Sequence, residues 1–217
     1  MPRFWLYPLV GALLVLAASG SPVRADAQVD QILEKVRNLN PGLVDYQADV
    51  EAHVKARIAI IPYSFQVLGR YYHKRPDRHK LEATRAPNYV RKYPQFLGLD
   101  VKDAAKFHST AQEAILDGQP VWHITMLPKE GMGDIQKFEV WVNQENYTVP
   151  RLQTSYKNNG RLLFNIKWTR LEGYWVVSEG WGEFDFPSVS ARATAHGKYG
   201  NYRFNQNLPD SFFEEKK

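Results

Sequence analysis

The side chains able to do chemistry are few and scattered along the chain. Six histidines stand at His53, His73, His79, His108, His123 and His196. None belongs to an HExxH pair, the arrangement that puts two imidazoles and a general base on one helix face around zinc. Cysteine is absent, which removes zinc ribbons and disulfide staples together. His73 and His79 flank a basic turn, His73-Lys74-Arg75-Pro76-Asp77, and read as solvated residues able to meet an anion or a headgroup. The other four stand singly as exposed or half-buried residues. There is no G-x-S-x-G elbow, Walker loop or dinucleotide fingerprint. Glu183 and Asp185 share one strand face, and paired carboxylates on a β-face can hydrolyse glycosides. Pro187 and Ser188 follow where a third acid would be expected, so the pair reads as solvent-facing. No catalytic residue, metal ligand or cofactor is expected.

What exceeds the ordinary is greasy surface. The chain holds 6 tryptophans, 12 tyrosines and 11 phenylalanines, and most alternate along extended segments. They must be positioned by the elements that carry them. From Val44 to Ile60 every even position is apolar (Val44, Tyr46, Ala48, Val50, Ala52, Val54, Ala56, Ile58, Ile60), while the odd positions up to Arg57 are polar or charged. This reads as one very long strand with a single buried face. At about 3.3 Å per residue it would span more than about 50 Å, longer than a compact domain of this size is wide. It must therefore curve, and the small Ala48, Ala52 and Ala56 leave room for a concave apolar face, as in a barrel or half-barrel.

Around this strand the rest is punctuated as a meander. Val29, Ile32, Leu33, Val36 and Leu39 recur at helical spacing ahead of it, and Asn40-Pro41-Gly42 ends that helix. Pro62 is read as the break after the long strand, with the next strand over Ser64 to Tyr72 and another over Arg78 to Thr84. The segment 86–100 carries two prolines and bulky aromatics without alternation, and reads as a short helix and loop lying against the sheet. Hairpins then follow, turning at Asp117-Gly118, after Gly133, at Asn158-Asn159-Gly160, at Gly173 and near Gly200. The fold class is mainly β (α+β), a half-open, strongly curved antiparallel barrel closed by short helices.

The first residues read as an address. Arg3 precedes the apolar run Leu9 to Ala18, and small-residue cleavage sites end at Ala25 and Ala27. The run is about half the roughly 20 residues that span a bilayer. A signal over 1–25 and a single domain over 26–217 are expected, with export to the periplasm and no lipid anchor, since acylation needs a thiol. Loss of Arg3 and Arg24 leaves 26 basic residues against 23 acidic. That balance permits attraction to anionic headgroups but is no nucleic-acid signature.

The order of several segments is also recognisable. They are Leu43-Val44-Asp45-Tyr46-Gln47-Ala48-Asp49-Val50, Lys74-x-Pro76-Asp77-x-x-Lys80-Leu81, Leu116-Asp117-Gly118-Gln119-Pro120-Val121-Trp122, Phe138-Glu139-Val140-Trp141-Val142-Asn143 and Asn207-Leu208-Pro209-Asp210-x-Phe212. Together they resemble the LolA-like outer-membrane lipoprotein-sorting proteins, a superfamily that includes LolB and RseB-type sensor domains. Asn143 stands where many relatives have Asp. The resemblance implies a half-barrel whose apolar cavity holds acyl chains, and members that carry lipids or lipoproteins across the periplasm or sense them.

The expected cavity wall is Tyr46, Val50, Val54, Ile58, Phe65, Val67, Tyr71, Leu81, Trp122, Ile124, Phe138, Val140, Phe164 and Trp168, around a void of several hundred Å³. Tyr89, Tyr93, Phe96 and Leu97 form the expected lid. A buried methylene is worth about 0.8 kcal/mol, so a chain of roughly fifteen loses on the order of 12 kcal/mol in water, and a matching apolar lining balances its exchange with a membrane. The partners expected are acyl chains, a transient membrane-protein donor or acceptor and the membrane surface, with the protein monomeric and no nucleic acid involved. Alternatives are a sensor or adaptor of the same fold acting through a membrane protein, and, more remotely, a β-sandwich glycosidase or lipid hydrolase using Glu183 and Asp185.

Overall fold

The computed structural model describes residues 25–86, 107–129 and 134–214. The expected leader and the expected lid residues Tyr89, Tyr93, Phe96 and Leu97 lie outside the described residues. One helix, α1 (Ala25–Arg37), precedes ten strands: β1 (Asp45–Ile58), β2 (Ile61–Lys74), β3 (Arg78–Arg85), β4 (Phe107–Leu116), β5 (Gln119–Pro128), β6 (Ile135–Asn143), β7 (Arg151–Tyr156), β8 (Arg161–Leu171), β9 (Tyr174–Phe186) and β10 (Ala191–Phe204). All ten form one antiparallel sheet in the order β3-β2-β1-β10-β9-β8-β7-β6-β5-β4. The first strand thus pairs with the last, and among the described strands β3 and β4 stand at the two ends of the order. The fold is a curved, half-open antiparallel barrel with a helix.

Alternation places the small residues of β1 inside, with Ala48 fully buried and Ala52 nearly so. The strand ends earlier than its pattern suggests. Ala59, with φ of 53°, and Ile60 make a two-residue hairpin, so Ile58 pairs with Ile61 and β2 runs through Pro62. Proline is tolerated there because β3 joins β2 only from Leu68 onward, leaving β2 an edge at Pro62 with no ladder bond to lose. Further along, β2 and β3 approach so closely at Gly69 that a Cβ would stand 2.5 Å from the Glu82 carbonyl oxygen. Gly200 makes no turn either. Asn201, with φ of 51°, forms a bulge opposite β1 between Gln47 and Asp49, and β10 continues to Phe204. Asp117-Gly118 and Glu172-Gly173 do turn as expected, both residues of each pair having positive φ.

At one end of the sheet β1, β2 and β3 are locked to the segment that follows β10. Asp45 stands at an odd position yet is fully buried, because the segment after β10 crosses over it. Its carboxylate accepts the backbone N–H of Gln206 at 2.7 Å and of Leu208 at 2.9 Å. The Lys74 ammonium donates to the Leu208 carbonyl and to Asp210. Arg78 pairs with the same carboxylate at 3.1 Å, and Lys80 donates to the Phe212 carbonyl while lying over its ring. Asn40 clamps the loop after the helix to β9, donating to the Trp175 carbonyl and accepting its N–H, each at 2.8 Å. The Asn143 side-chain oxygen accepts the N–H groups of Glu145 and Asn146. An Asp offers the same acceptor there.

Two buried N–H groups that lose a charged acceptor cost more than a surface contact does. Asp45→Ala should therefore destabilise the fold by about 3 kcal/mol, whereas Glu51→Ala on the exposed face of the same strand should cost within about 0.5 kcal/mol. Urea denaturation of the two variants measures both, and equal midpoints would contradict the assignment.

Candidate functional site

The concave face is divided between two apolar clusters. In the first, Val29, Ile32 and Leu33 of α1 pack on Phe107, Ile124, Met126, Val140, Val142 and Val149. Trp122, Phe138 and Trp168 flank this group, and the Trp168 indole N–H donates to the Val149 carbonyl at 2.9 Å. Five residues expected on the cavity wall (Trp122, Ile124, Phe138, Val140 and Trp168) therefore meet the helix or its immediate surroundings. An amphipathic helix with Val29, Ile32 and Leu33 on one face buries that face against these strands.

The second cluster has a different composition. Val50, Ala52, Val67, Tyr71 and Leu81 are buried together, with Tyr46, Phe65, Ala83, Ala86 and Tyr199 against them. Its members come from β1, β2, β3 and β10, together with Ala86 just beyond β3, and none comes from α1. Six expected wall residues fall here: Tyr46, Val50, Phe65, Val67, Tyr71 and Leu81. Along β1 burial then fades steadily. Val50 is 3% exposed, Val54 is half-buried, and Ile58 is 59% exposed. On β2 the same gradient runs from Val67 through half-buried Phe65 to exposed Tyr63, whose rings lie 5.7 Å apart. Phe164 lies apart from this track, edge-on to Phe184 at 5.5 Å.

The deep end of the track is polar in a way that parity alone could have shown. His73 pairs with Tyr46 across β1 and β2 and with His79 across β2 and β3, so both imidazoles face inward. They are half-buried rather than solvated at a turn tip. His73 lies 5.2 Å from the Tyr46 ring and 4.9 Å from His79, and the Tyr71 hydroxyl and His79 Nδ1 share a hydrogen bond of 2.6 Å. Tyr202 completes the group, its ring 5.7 Å from Tyr46 and its hydroxyl donating to the Val177 carbonyl at 2.7 Å. Tyr199 and Tyr202 were hidden from the sequence because the bulge at Asn201 breaks the alternation between them.

One cavity among the described residues lies on neither cluster. It is an open depression of about 470 Å³ lined by Lys55, Arg57, Arg161, Glu183, Asp185 and Arg192, with Pro62, Ala56, Phe184, Ala193 and Thr194. Glu183 meets Arg161 at 3.5 Å and Asp185 meets Arg192 at 3.1 Å, so each carboxylate already has a cationic partner. Two further histidines stand on the outer face, stacked on indoles: His123 on Trp141 at 4.5 Å and His196 on Trp181 at 5.1 Å.

No protein-family model matches the chain, and no curated protein matches it by sequence. Solved structures do match. A putative outer membrane lipoprotein-sorting protein domain from Vibrio parahaemolyticus is 12% identical with a TM-score of 0.60, covering 84% of this chain and 94% of its own. A DUF1329 family protein from Desulfovibrio piger is 14% identical with a TM-score of 0.55, covering 88% and 97%. A LolA superfamily protein from Nitrosomonas europaea is 13% identical with a TM-score of 0.49, covering 86% and 97%. At such identities the likeness is one of fold. The chain has a LolA-like fold.

Burial pushes the phenols of Tyr46, Tyr199 and Tyr202 well above the ordinary tyrosine range, with the neighbouring Tyr199 adding to Tyr46, and Tyr46 and Tyr199 adding to Tyr202. The folded chain keeps protons that the unfolded chain releases above about pH 10. These groups thus contribute their full stability below about pH 10 and lose it as the pH rises beyond. The urea midpoint should fall between about pH 9.5 and 11.5, and Tyr202→Phe should flatten that fall. A midpoint independent of alkaline pH would refute the buried placement of this group.

Proposed function

We propose that the protein is an exported, periplasmic carrier that binds the acyl chain of a lipid or lipoprotein along the second apolar cluster and passes it between membranes. The observation that carries this reading is the continuous burial gradient on the inner face of β1 and β2, from Val50, Val67 and Tyr71 outward to Ile58 and Tyr63. A folded domain gains nothing from leaving a graded apolar track open at one end unless something apolar moves along it. Between Tyr71 and Tyr63 the inner residues of β1 and β2 (Val50, Ala52, Val54, Phe65 and Val67) offer dispersion contacts from apolar side chains, which suits hydrocarbon. Its deep end, where Tyr71 and His79 are hydrogen-bonded and Tyr46 and Tyr202 lie close by, gives a polar stop.

The LolA-like fold supports the reading, as does the leader of a basic residue followed by an apolar run, cleaved near Ala25 or Ala27. Transfer by this route needs no bond chemistry, because a lining that matches the bilayer's hydrocarbon leaves the exchange nearly balanced. A membrane-protein donor or acceptor would then set its direction.

Repeatedly delipidated protein should bind a fluorescent fatty acid, and native mass spectrometry should find acyl species on gently purified material. Val54→Asp places a carboxylate on the track and should weaken the fatty acid by about ten-fold or more. Glu51→Ala on the outer face should leave it unchanged. A delipidated protein that takes up no acyl probe sinks the proposal.

A further inference from the structure

The β1–β2 hairpin ends in apolar side chains that the fold leaves in solvent. Ile60 is 90% exposed at the tip, Ile61 68% and Ile58 59%. Val189, from the turn between β9 and β10, is 63% exposed. The two turns are held together by a 2.9 Å hydrogen bond from the Ala59 N–H to the Ser190 carbonyl, and by the pairing of Ile58 with Ala191. This is a braced platform rather than a stray loop. Tyr63, half exposed on the same inner face, adds an amphipathic ring two pairs back from the Ile58–Ile61 pair. Isolated exposed isoleucines are ordinary, but a contiguous group at the end of a braced hairpin is a contact surface.

Charge decides what it contacts. Directly behind the tip, on the opposite face of the strands, Arg57 pairs with Arg192, and Arg192 with Asp185. Lys55 lies one pair further back and Arg161 across from Asp185. These four cations and the acids Glu183 and Asp185 line the open 470 Å³ depression. The acids are bound to Arg161 and Arg192, and the surplus is positive. An apolar tip backed by a cationic collar and an interfacial tyrosine is the arrangement that seats on a leaflet, with side chains at the headgroup–acyl boundary and lysine and arginine at the phosphates. A protein partner with an apolar groove would not require that collar.

We infer that the protein docks on anionic phospholipid bilayers through the Ile58–Tyr63 hairpin and Val189, with Lys55, Arg57, Arg161 and Arg192 at the lipid phosphates. Docking of this kind goes beyond acyl binding and does not require it, so the two are measured apart. The test is co-sedimentation of the full mature chain with vesicles of phosphatidylcholine alone or with phosphatidylglycerol at about one third. Binding should require the anionic lipid and weaken as salt rises, because charges at the headgroups are screened.

Ile60→Asp/Ile61→Asp should reduce vesicle binding by about ten-fold or more, since apolar insertion becomes charge insertion. That variant should keep its melting temperature and its affinity for a soluble fatty acid, which lies against other residues. Lys55→Glu/Arg57→Glu should abolish the preference for anionic vesicles while the melting temperature holds. Equal binding to neutral and anionic vesicles overturns the inference, and so does no binding to either. Undiminished binding by the Ile60/Ile61 variant overturns it too, as does a variant that binds vesicles normally but no longer exchanges cargo with a membrane protein. Loss of fatty-acid binding in the wild type, with vesicle docking intact, would count against the carrier alone.

Discussion

The fold depends on a single pairing that the chain makes late. β1 can bury its even side chains only if a second strand covers its other edge, and that strand is β10, from the far end of the sequence. Closing so long a loop costs entropy that the ladder alone must overcome. The charged contacts around Asp45, Lys74 and Asp210 fasten the end of that ladder. Asp45 draws two N–H groups from the segment after β10, and hydrogen bonding from Lys74 is the chief cause holding the Asp210 carboxyl below its ordinary range, with Arg78 and Lys74 adding their charge. Curvature of the sheet, the concave inner face and the places of β3 and β4 at the ends of the strand order follow from that closure.

The concave face so created is larger than one helix can fill. α1 covers the side drawn from β4 to β8, where it makes the larger cluster. The other side keeps a cluster built from strands and Ala86, whose burial declines toward the hairpin tip. The two halves of one inner surface therefore differ in what completes them. One is an ordinary core, close-packed against an amphipathic helix. The other grades from core to exposed surface without a boundary, and the proposed acyl binding and bilayer contact both rest on that gradient.

Much of this was readable in the residues. Period-two patterning is strict from Ala48 to Ala56, because a sheet with one buried face tolerates nothing else, and it gave the inner wall, its small residues and its curvature. Glycine-led turns with two positive φ values were equally legible at Asp117-Gly118 and Glu172-Gly173. The failures have particular causes. Pro62 reads as a breaker, but proline interrupts a strand only where its missing N–H is needed, and at Pro62 β2 is paired with β1 on one side and not with β3 on the other. Gly200 reads as a turn, but a glycine beside an asparagine serves a bulge just as well. His73 and His79 read as solvated because their neighbours are charged, although parity with Tyr71 already placed His73 inside. Three of the motifs behind the LolA-like resemblance are fastenings: Asp45, Lys74, Lys80, Leu208 and Asp210 join β1, β2 and β3 to the segment after β10, at the end of the sheet away from the hairpin tip.

By itself the sequence determined the class of fold and the face that each residue of β1 presents between Ala48 and Ala56. These follow from local geometry, since alternation, turn chemistry and composition act between neighbours in the chain. Only the tertiary structure decided which part of the concave face the helix would occupy, why Asp45 is buried, and that Ile58, Ile60 and Ile61 end in solvent beside a cluster of arginines. Those facts depend on residues far apart in sequence meeting across β1, β10 and the crossing tail, and an apolar pattern reads the same whether or not a partner arrives to cover it.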